Sequence, residues 1–579
     1  MRPCLTRPWL MRPCLMRPCL TPPRLTPSRL TPPRLTPSRL TPPCLTPPRL
    51  TPSRLTPSRL TPPRLTPPCL TRPRLTRPAP RLGLFAPGAA RDTVGMSEQA
   101  TASTGKAVRV ATSSRTRLTA VIVACALFMQ NLDSTVIATA LPTMAHVFAV
   151  PPVRMNVALT SYLLSLAVFI PASGWIADRY GTRTVFRAAI AVFTIGSVLC
   201  GRADTLGFLV ASRVLQGAGG AMMVPVGRLV LLRTAPRNEL VAAMAWLTMP
   251  SLLGPVLGPP VGGFIVTYFN WRWIFDINVP IGCLGIVLVT LFIPDAREPP
   301  PGKFDFLGLA LSGIALAGVM FGLETMGRGV VPPLLTRAMF AAGLGAALGY
   351  ALHAWRHPAP LLDFSLLKLP CFGVSFCAMM LFRTGIGAIP FLLPLMIQVG
   401  FGDSAVESGL ITFASAAGAF VMKPAAQHAL RLFGFRNTLL WNGLVSGVML
   451  ALCAAFRPAW PVAGIYLVLL VGGFFRSLQF TAYNTLAYGD VPRSKMSAAT
   501  SLYTTGQQLA ATIGISSGAL ALEVAIRMTG HHPPQPADFS VAFIAVACMP
   551  LLAGPIALLM PRNAGDDLTG RRPAASPRP

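Results

Sequence analysis

Acidic residues are scarce in this chain, with 19 Asp and Glu against 50 Lys and Arg in 579 residues, and only 12% of positions carry a charge. Together with 52% hydrophobic residues and a mean hydropathy of +0.56, that excludes an ordinary soluble globular domain. The formal net charge of +31 is spread along the chain, about half of the excess lying before residue 95, so it reads as basic loops of a membrane protein and not as a nucleic-acid surface. Twelve cysteines form no CxxC pair and no Cys/His cluster at metal-ligand spacing, which argues against a disulfide framework, a zinc site or a metal cofactor. HExxH is missing, so an enzyme or a receptor with embedded chemistry is disfavoured. No GxxxxGK[ST] is present, which speaks against ATP as an energy source.

What the chain has in excess is proline at its start and apolar runs after it. Residues 1 to 80 repeat a five-residue unit, as in LTPPRLTPSRL. Proline at that density forbids a helix and the apolar content is too low for a core, so 1–95 is expected to be a disordered low-complexity segment. It lacks the apolar stretch and small-residue cleavage site of a signal peptide. Met96, opening MSEQATASTGKAVRV, is the candidate initiator, which would leave 1–95 outside the native protein; the alternative is a basic tail for anionic lipid.

From residue 118 onward, apolar runs of about 20 residues recur, each long enough to cross the hydrocarbon of a bilayer as a helix. Fourteen are counted, or thirteen if one weak run between 305 and 355 falls short. They do not alternate apolar and polar residues as barrel strands do. Alternate loops carry most of the Lys and Arg, including Arg115, Arg117, Arg179, Arg183, Arg187, Arg233 and Arg237, which places both termini in the cytoplasm. The lipid bilayer is the surrounding partner.

An ionised group inside a span costs about 2.5 to 3.5 kcal/mol on insertion scales, so it normally faces a cavity or a partner. Asp133, Arg213 and Arg383 stand out. Asp133 is either half of a structural ion pair with Arg213 or Arg383, or a carboxylate whose proton occupancy changes, because burial and a nearby guanidinium pull its titration in opposite directions. Glu324, Asp276, Arg228 and Arg476 are secondary candidates. In MPSLLGPVLGPPVGGFI, Gly254, Gly258 and Gly262 recur every four residues and admit another backbone, while Pro255, Pro259 and Pro260 remove amide donors and are expected to bend the helix. In the short loop GWIADRYGTRTVFR, Asp178 and Arg179 can tie helix ends together and Gly181 permits a tight turn.

These segments together resemble the major facilitator superfamily, and within it the fourteen-helix drug:proton antiporters, over residues 115 to 562. Gly174, Asp178, Arg179, Gly181 and Arg183 match the loop signature G-x-x-x-D-R-x-G-x-R. Asp133, Thr135, Ala140, Leu141 and Pro142 match L-D-x-T-x-x-x-x-A-L-P. Arg213, Gln216, Gly217 and Gly219 match R-x-x-Q-G-x-G. Gly254, Pro255, Gly258, Gly262 and Gly263 follow the antiporter signature, and WRWIFDINVPIG, residues 271 to 282, looks like that branch's next helix start. RLFGFR at 431 to 436 echoes the first loop without its aspartate, which leaves a second gating latch in doubt.

The resemblance implies an all-α membrane protein of major facilitator fold. After a cytoplasmic tail, 96–117, it implies a six-helix half at 118–294, an extra helix pair at 305–356, a second half at 371–561 and a cytoplasmic tail at 562–579. It further implies a proton-coupled exporter in a bacterial inner membrane that exchanges protons for small amphipathic or drug-like substrates by alternating access. Asp133 and Arg213 would couple, helped by Gln216; the Asp178 loop would gate, and the glycine-rich helix would flex. A uniporter or importer of a native metabolite is the competing reading, and accessory efflux proteins are left open.

Overall fold

The computed structural model describes residues 113–150, 152–295, 302–325, 332–531 and 534–569; the Pro/Arg repeat and Met96 lie outside them. The described residues contain helices and no β-strand. That is what a bilayer demands of apolar runs without a closed barrel, since every backbone donor and acceptor must be satisfied within its own segment.

In chain order, α1 is Ser114–Val147, α2 Pro152–Phe169, α3 Ser173–Tyr180, α4 Thr182–Gly201, α5 Leu206–Thr234 and α6 Leu240–Tyr268. The short α7, Trp273–Asp276, leads into α8, Asn278–Phe292, followed by the pair α9, Phe306–Thr325, and α10, Pro333–Arg356. Next come α11, Pro370–Gly387, α12, Ile389–Leu395, the long α13, Ala405–Leu452, α14, Val462–Leu486, α15, Met496–Thr529, and α16, Pro536–Ile556; α17, Asp566–Thr569, is a single turn. A 3-10 turn at Ile170–Ala172 joins α2 to α3 into one crossing.

Twelve helical stretches among the described residues are long and apolar enough to cross a membrane, against the fourteen expected. Two features bear on the difference. First, α13 is counted once, although Gly434 (φ 72°, ψ 163°) interrupts it and divides it into two helices. Second, α6, itself 29 residues long and apolar, is not among the twelve. Gly434 has its counterpart in Gly181 (φ 86°), which reverses the chain between α3 and α4. Both stand in the left-handed region that favours glycine, so the echo seen between RLFGFR and the first loop is a shared turn.

The same pairings recur in the two halves. In the first, α1 packs on α6 and α8, and α4 on α5; in the second, α11 packs on α15 and α16, and α13 on α14. The halves meet where α6 touches α13 and α14 and where α3 and α5 touch α15. The extra pair packs α9 against α10, and α9 also rests on α2 and α15.

Antiparallel threading gathers Ser113, Gly181, residues 235–239, Gly434, residues 487–495 and α17 at one end of the bundle, here the near end. Ser113 caps α1 by accepting from the Thr116 amide at 3.2 Å, and its own amide donates to Glu239 Oε2 at 3.2 Å, which fixes the start of α1 to the start of α6.

Candidate functional site

Asp133 lies toward the far end of the first half, on α1, and is only 2% exposed. Four neighbouring helices supply its surroundings. Arg213 Nη1, from α5, donates to Asp133 Oδ2 at 2.7 Å; Gln216 Nε2, one turn further on, donates to Oδ1 at 2.9 Å; Asn278 Nδ2, at the start of α8, donates to the same Oδ1 at 3.0 Å. The guanidinium also donates to Gln216 Oε1 at 2.6 Å and, through Nε, to the Ala158 carbonyl of α2 at 3.2 Å. Ser197, on α4, accepts from Asn278 at 2.9 Å and donates to the Phe275 carbonyl at 2.9 Å. The Arg213 guanidinium carbon stands 4.3 Å from the centre of the Tyr162 ring.

The arrangement is a neutral ion pair with three donors on one carboxylate, both side chains wholly shielded. Taking two ions out of water costs several kcal/mol each, and such a pair is tolerated only with good geometry and filled lone pairs. Asp133 meets that condition. Arg213 does so incompletely, because its Nη2 has no hydrogen-bond partner. The choice between Arg213 and Arg383 as partner is thereby corrected to Arg213 alone: Arg383 lies in the second half, where its Nε donates to the Gln507 carbonyl at 2.8 Å.

The loop signature divides its labour. Gly174 lets α15 approach, since a Cβ there would stand 2.7 Å from the Ser497 carbonyl oxygen, and its amide donates to Ser501 Oγ at 2.9 Å. Asp178 accepts from Arg233 Nη2 at 2.6 Å and from Ser497 Oγ. Arg179, expected to share the tie with Asp178, is exposed, and Arg233 takes its place because α5 ends alongside. Arg183 donates to the Thr290 carbonyl of α8, stapling α4 within its own half.

On α6, Gly254, Gly258 and Gly262 face α1: a Cβ at these positions would lie 2.7 Å from Asn131 Cβ, 2.7 Å from Thr135 Cβ and 2.9 Å from the Val136 oxygen. Gly263 has nothing within 4 Å and takes no part in that face. The bend expected of Pro255, Pro259 and Pro260 does not interrupt α6, which runs as one helix. Glu324, on α9, accepts from Thr160 on α2 at 3.5 Å, and Asp276 meets Arg202 at 3.4 Å at a helix end. Sequence reading missed Asn278 and Ser197. Asn278 stood in the quoted stretch 271 to 282 as the one amide opening an apolar run; Ser197 gave no signal. It also saw no metal-ligand spacing, whereas the fold brings Asp305, His353 and His357 together with ligand atoms within 4.8 Å of one another. There Asp305 Oδ1 is already bonded to His353 Nε2 at 2.8 Å and to the Gly308 amide at 2.7 Å.

A bundle of two similar helical halves around an interfacial seam defines a membrane transporter of the alternating-access type. The chain belongs to the Major Facilitator Superfamily, whose family model matches residues 123–515 and 375–576. It is 38% identical over 458 residues to the protein called "Putative multidrug resistance protein MdtD" of Serratia proteamaculans strain 568, covering 78% of this chain and 94% of that one. It is 36% identical over 460 residues to the protein of the same name from Yersinia enterocolitica serotype O:8, covering 79% and 97%. Among solved structures, the proton:xylose symporter XylE shares the fold at a TM-score of 0.56 and 15% identity, over 79% of this chain and 99% of that one. The human organic anion transporter MFSD10 does so at 0.53 and 15%, over 76% and 99%.

Proposed function

We propose that this chain is a proton-coupled exporter of small amphipathic, drug-like molecules, a transporter and not an enzyme, working by alternating access across a bacterial inner membrane with fourteen crossings and both ends in the cytoplasm. The kinship with multidrug resistance proteins supports the cargo, and the basic loops support the orientation. The observation that carries the coupling is the buried Asp133 carboxylate with its guanidinium and two amide donors.

Protonating Asp133 removes the negative partner of Arg213 while leaving the guanidinium its bonds to Gln216 Oε1 and the Ala158 carbonyl. The Asn278 and Gln216 amides then face a neutral acid, and the hold of α5 and α8 on α1 weakens. Because α1 is seated on the glycine face of α6, a shift of α1 carries α6 with it, and α6 borders the second half. The carboxylate is sealed in this conformation, so proton exchange belongs to the opposite one. A proton entering down about 100 mV supplies about 2.3 kcal/mol, and each pH unit adds about 1.4 kcal/mol. That is enough to concentrate a cargo tens-fold per proton.

The test is proton flux and cargo counterflow in vesicles holding the purified protein. Asp133→Asn is expected to abolish proton-driven accumulation while cargo-cargo exchange persists; an unchanged rate of proton-driven exchange removes the residue from the coupling step. Accumulation in intact pump-deficient cells separates export from the uniporter or importer reading, which predicts uptake.

A further inference from the structure

A second set of charges lies at the seam between the halves, apart from Asp133, and carries no compensating acid. Arg228, on α5 of the first half, is 7% exposed. It donates through Nη1 to the Tyr488 hydroxyl at 3.2 Å and through Nη2 to Gln507 Oε1 at 3.1 Å, and its Nε has no hydrogen-bond partner. Arg383, on α11 of the second half, donates to the backbone oxygen of the same Gln507 at 2.8 Å. The side-chain nitrogen of Gln507 donates in turn to Asn484 Oδ1 at 3.0 Å. A third cation, Lys423 on α13, is 3% exposed and donates at 3.0 Å to Thr481, one turn along α14 from Asn484.

Among the described residues, none of these three cations is bonded to a carboxylate. Neutral oxygens are poor compensation for a desolvated positive charge, and two guanidiniums sharing one glutamine repel each other. Rings border both: the Arg228 guanidinium carbon stands 5.6 Å from the centre of Tyr503 and that of Arg383 stands 5.5 Å from Phe480. An apolar molecule would not need such charges, and a cation would be repelled by them. A carboxylate, phosphate or sulfonate on a planar aromatic body suits a pair of guanidinium forks flanked by rings.

We infer that the seam between Arg228 and Arg383 binds the acidic group of an amphipathic organic anion, which makes the cargo anionic. This rests on the export reading and narrows it. An anion leaving against an entering proton moves two charges in the same electrical sense, whereas a monovalent cation leaving moves none. Inside-negative potential therefore accelerates export of the one and not of the other.

Two xanthene dyes test this on a shared ring system: fluorescein, a dianion in mildly alkaline buffer, and rhodamine 6G, a cation. Binding to the full-length protein in nanodiscs of zwitterionic phosphatidylcholine is read by anisotropy, with titrations repeated after adding phosphatidylglycerol to separate cargo from anionic headgroup. Fluorescein is expected to bind at least tenfold more tightly than rhodamine 6G, and Arg228→Gln and Arg383→Gln each to reduce that preference tenfold or more. Arg228→Lys should restore part of it, and thermal unfolding should show each variant folded. Preference for the cation, equal binding, binding of neither dye, or a preference untouched by both substitutions overturns the inference. So does complete displacement of fluorescein by phosphatidylglycerol, which assigns the seam to lipid. Proton-coupled export of rhodamine 6G without fluorescein movement would sink the anion and leave the exporter standing; the absence of any proton-coupled flux would sink the exporter instead.

Discussion

Asp133 and Arg213 were visible in the sequence as charges stranded in apolar runs, because a bilayer makes a lone ion expensive and so makes it informative. Their pairing was not visible, since 80 residues separate them and Arg383 had equal standing. Asn278 and Ser197 escaped for a related reason: neutral polar groups are cheap enough in helices to carry little signal until the fold shows what they touch. The energetics of the pair give a prediction. Removing one partner of a buried ion pair typically destabilises by about 3 to 5 kcal/mol, whereas replacing both is often neutral. Asp133→Leu should lower the thermal midpoint in detergent by several degrees, and the further change Arg213→Met should recover most of the loss. A double variant as unstable as the sum of both singles would show that the remaining contacts of the pair hold the helices.

At the scale of the element, the four-residue spacing of Gly254, Gly258 and Gly262 announced a close helix contact, and α1 supplies it. Which helix would come, and that Gly263 would stand apart, required the fold. Gly258→Leu should therefore cut the amount of folded protein several-fold, as followed by size-exclusion profile, because Thr135 cannot give way without moving α1; Gly263→Ala should leave it unchanged. Connecting loops add a pH-dependent tie: Lys495 donates to Asp363 at 2.9 Å, joining the α10–α11 loop to the start of α15. Burial raises the Asp363 carboxyl, but the hydrogen bonds from Ser365 and Lys495 outweigh it and hold it below its ordinary 3.8. A depressed acid stabilises fully above its unfolded value and loses that contribution as pH falls through the folded one. The stability difference between the protein and Lys495→Met should accordingly shrink below about pH 3.8, measured by thermal unfolding across acid buffers.

For the whole molecule, the hydrogen bonds joining the halves converge toward the near end: Ser173 and Gly174 to Ser501, Asp178 to Ser497, Arg228 to Tyr488 and Gln507, and Arg237 to Asp567 at 2.9 Å. The near end is shut by them. Gly174→Leu should hold it apart, because the added side chain meets the Ser497 backbone. Cross-linking of an Arg237→Cys, Asp567→Cys pair should then fall by more than half, and unchanged cross-linking would show that closure does not depend on that glycine. Sequence repetition between halves was legible only in part. The shared turn at Gly181 and Gly434 was foreshadowed, but Arg476 and Gln479 on α14 reproduce the spacing of Arg213 and Gln216 on α5 with no acid bonded to them among the described residues, so the first half holds a carboxylate at this position and the second holds neutral groups there.

The position of α9 has an effect on traffic within the lipid. Resting on both α2 and α15, it covers one side of the cleft between the halves like a doorpost, while the opposite side is bordered by α6, α13 and α14 alone. A greasy molecule that wanders in sideways from the surrounding leaflet therefore meets α9 on one flank and the packed α6, α13 and α14 on the other.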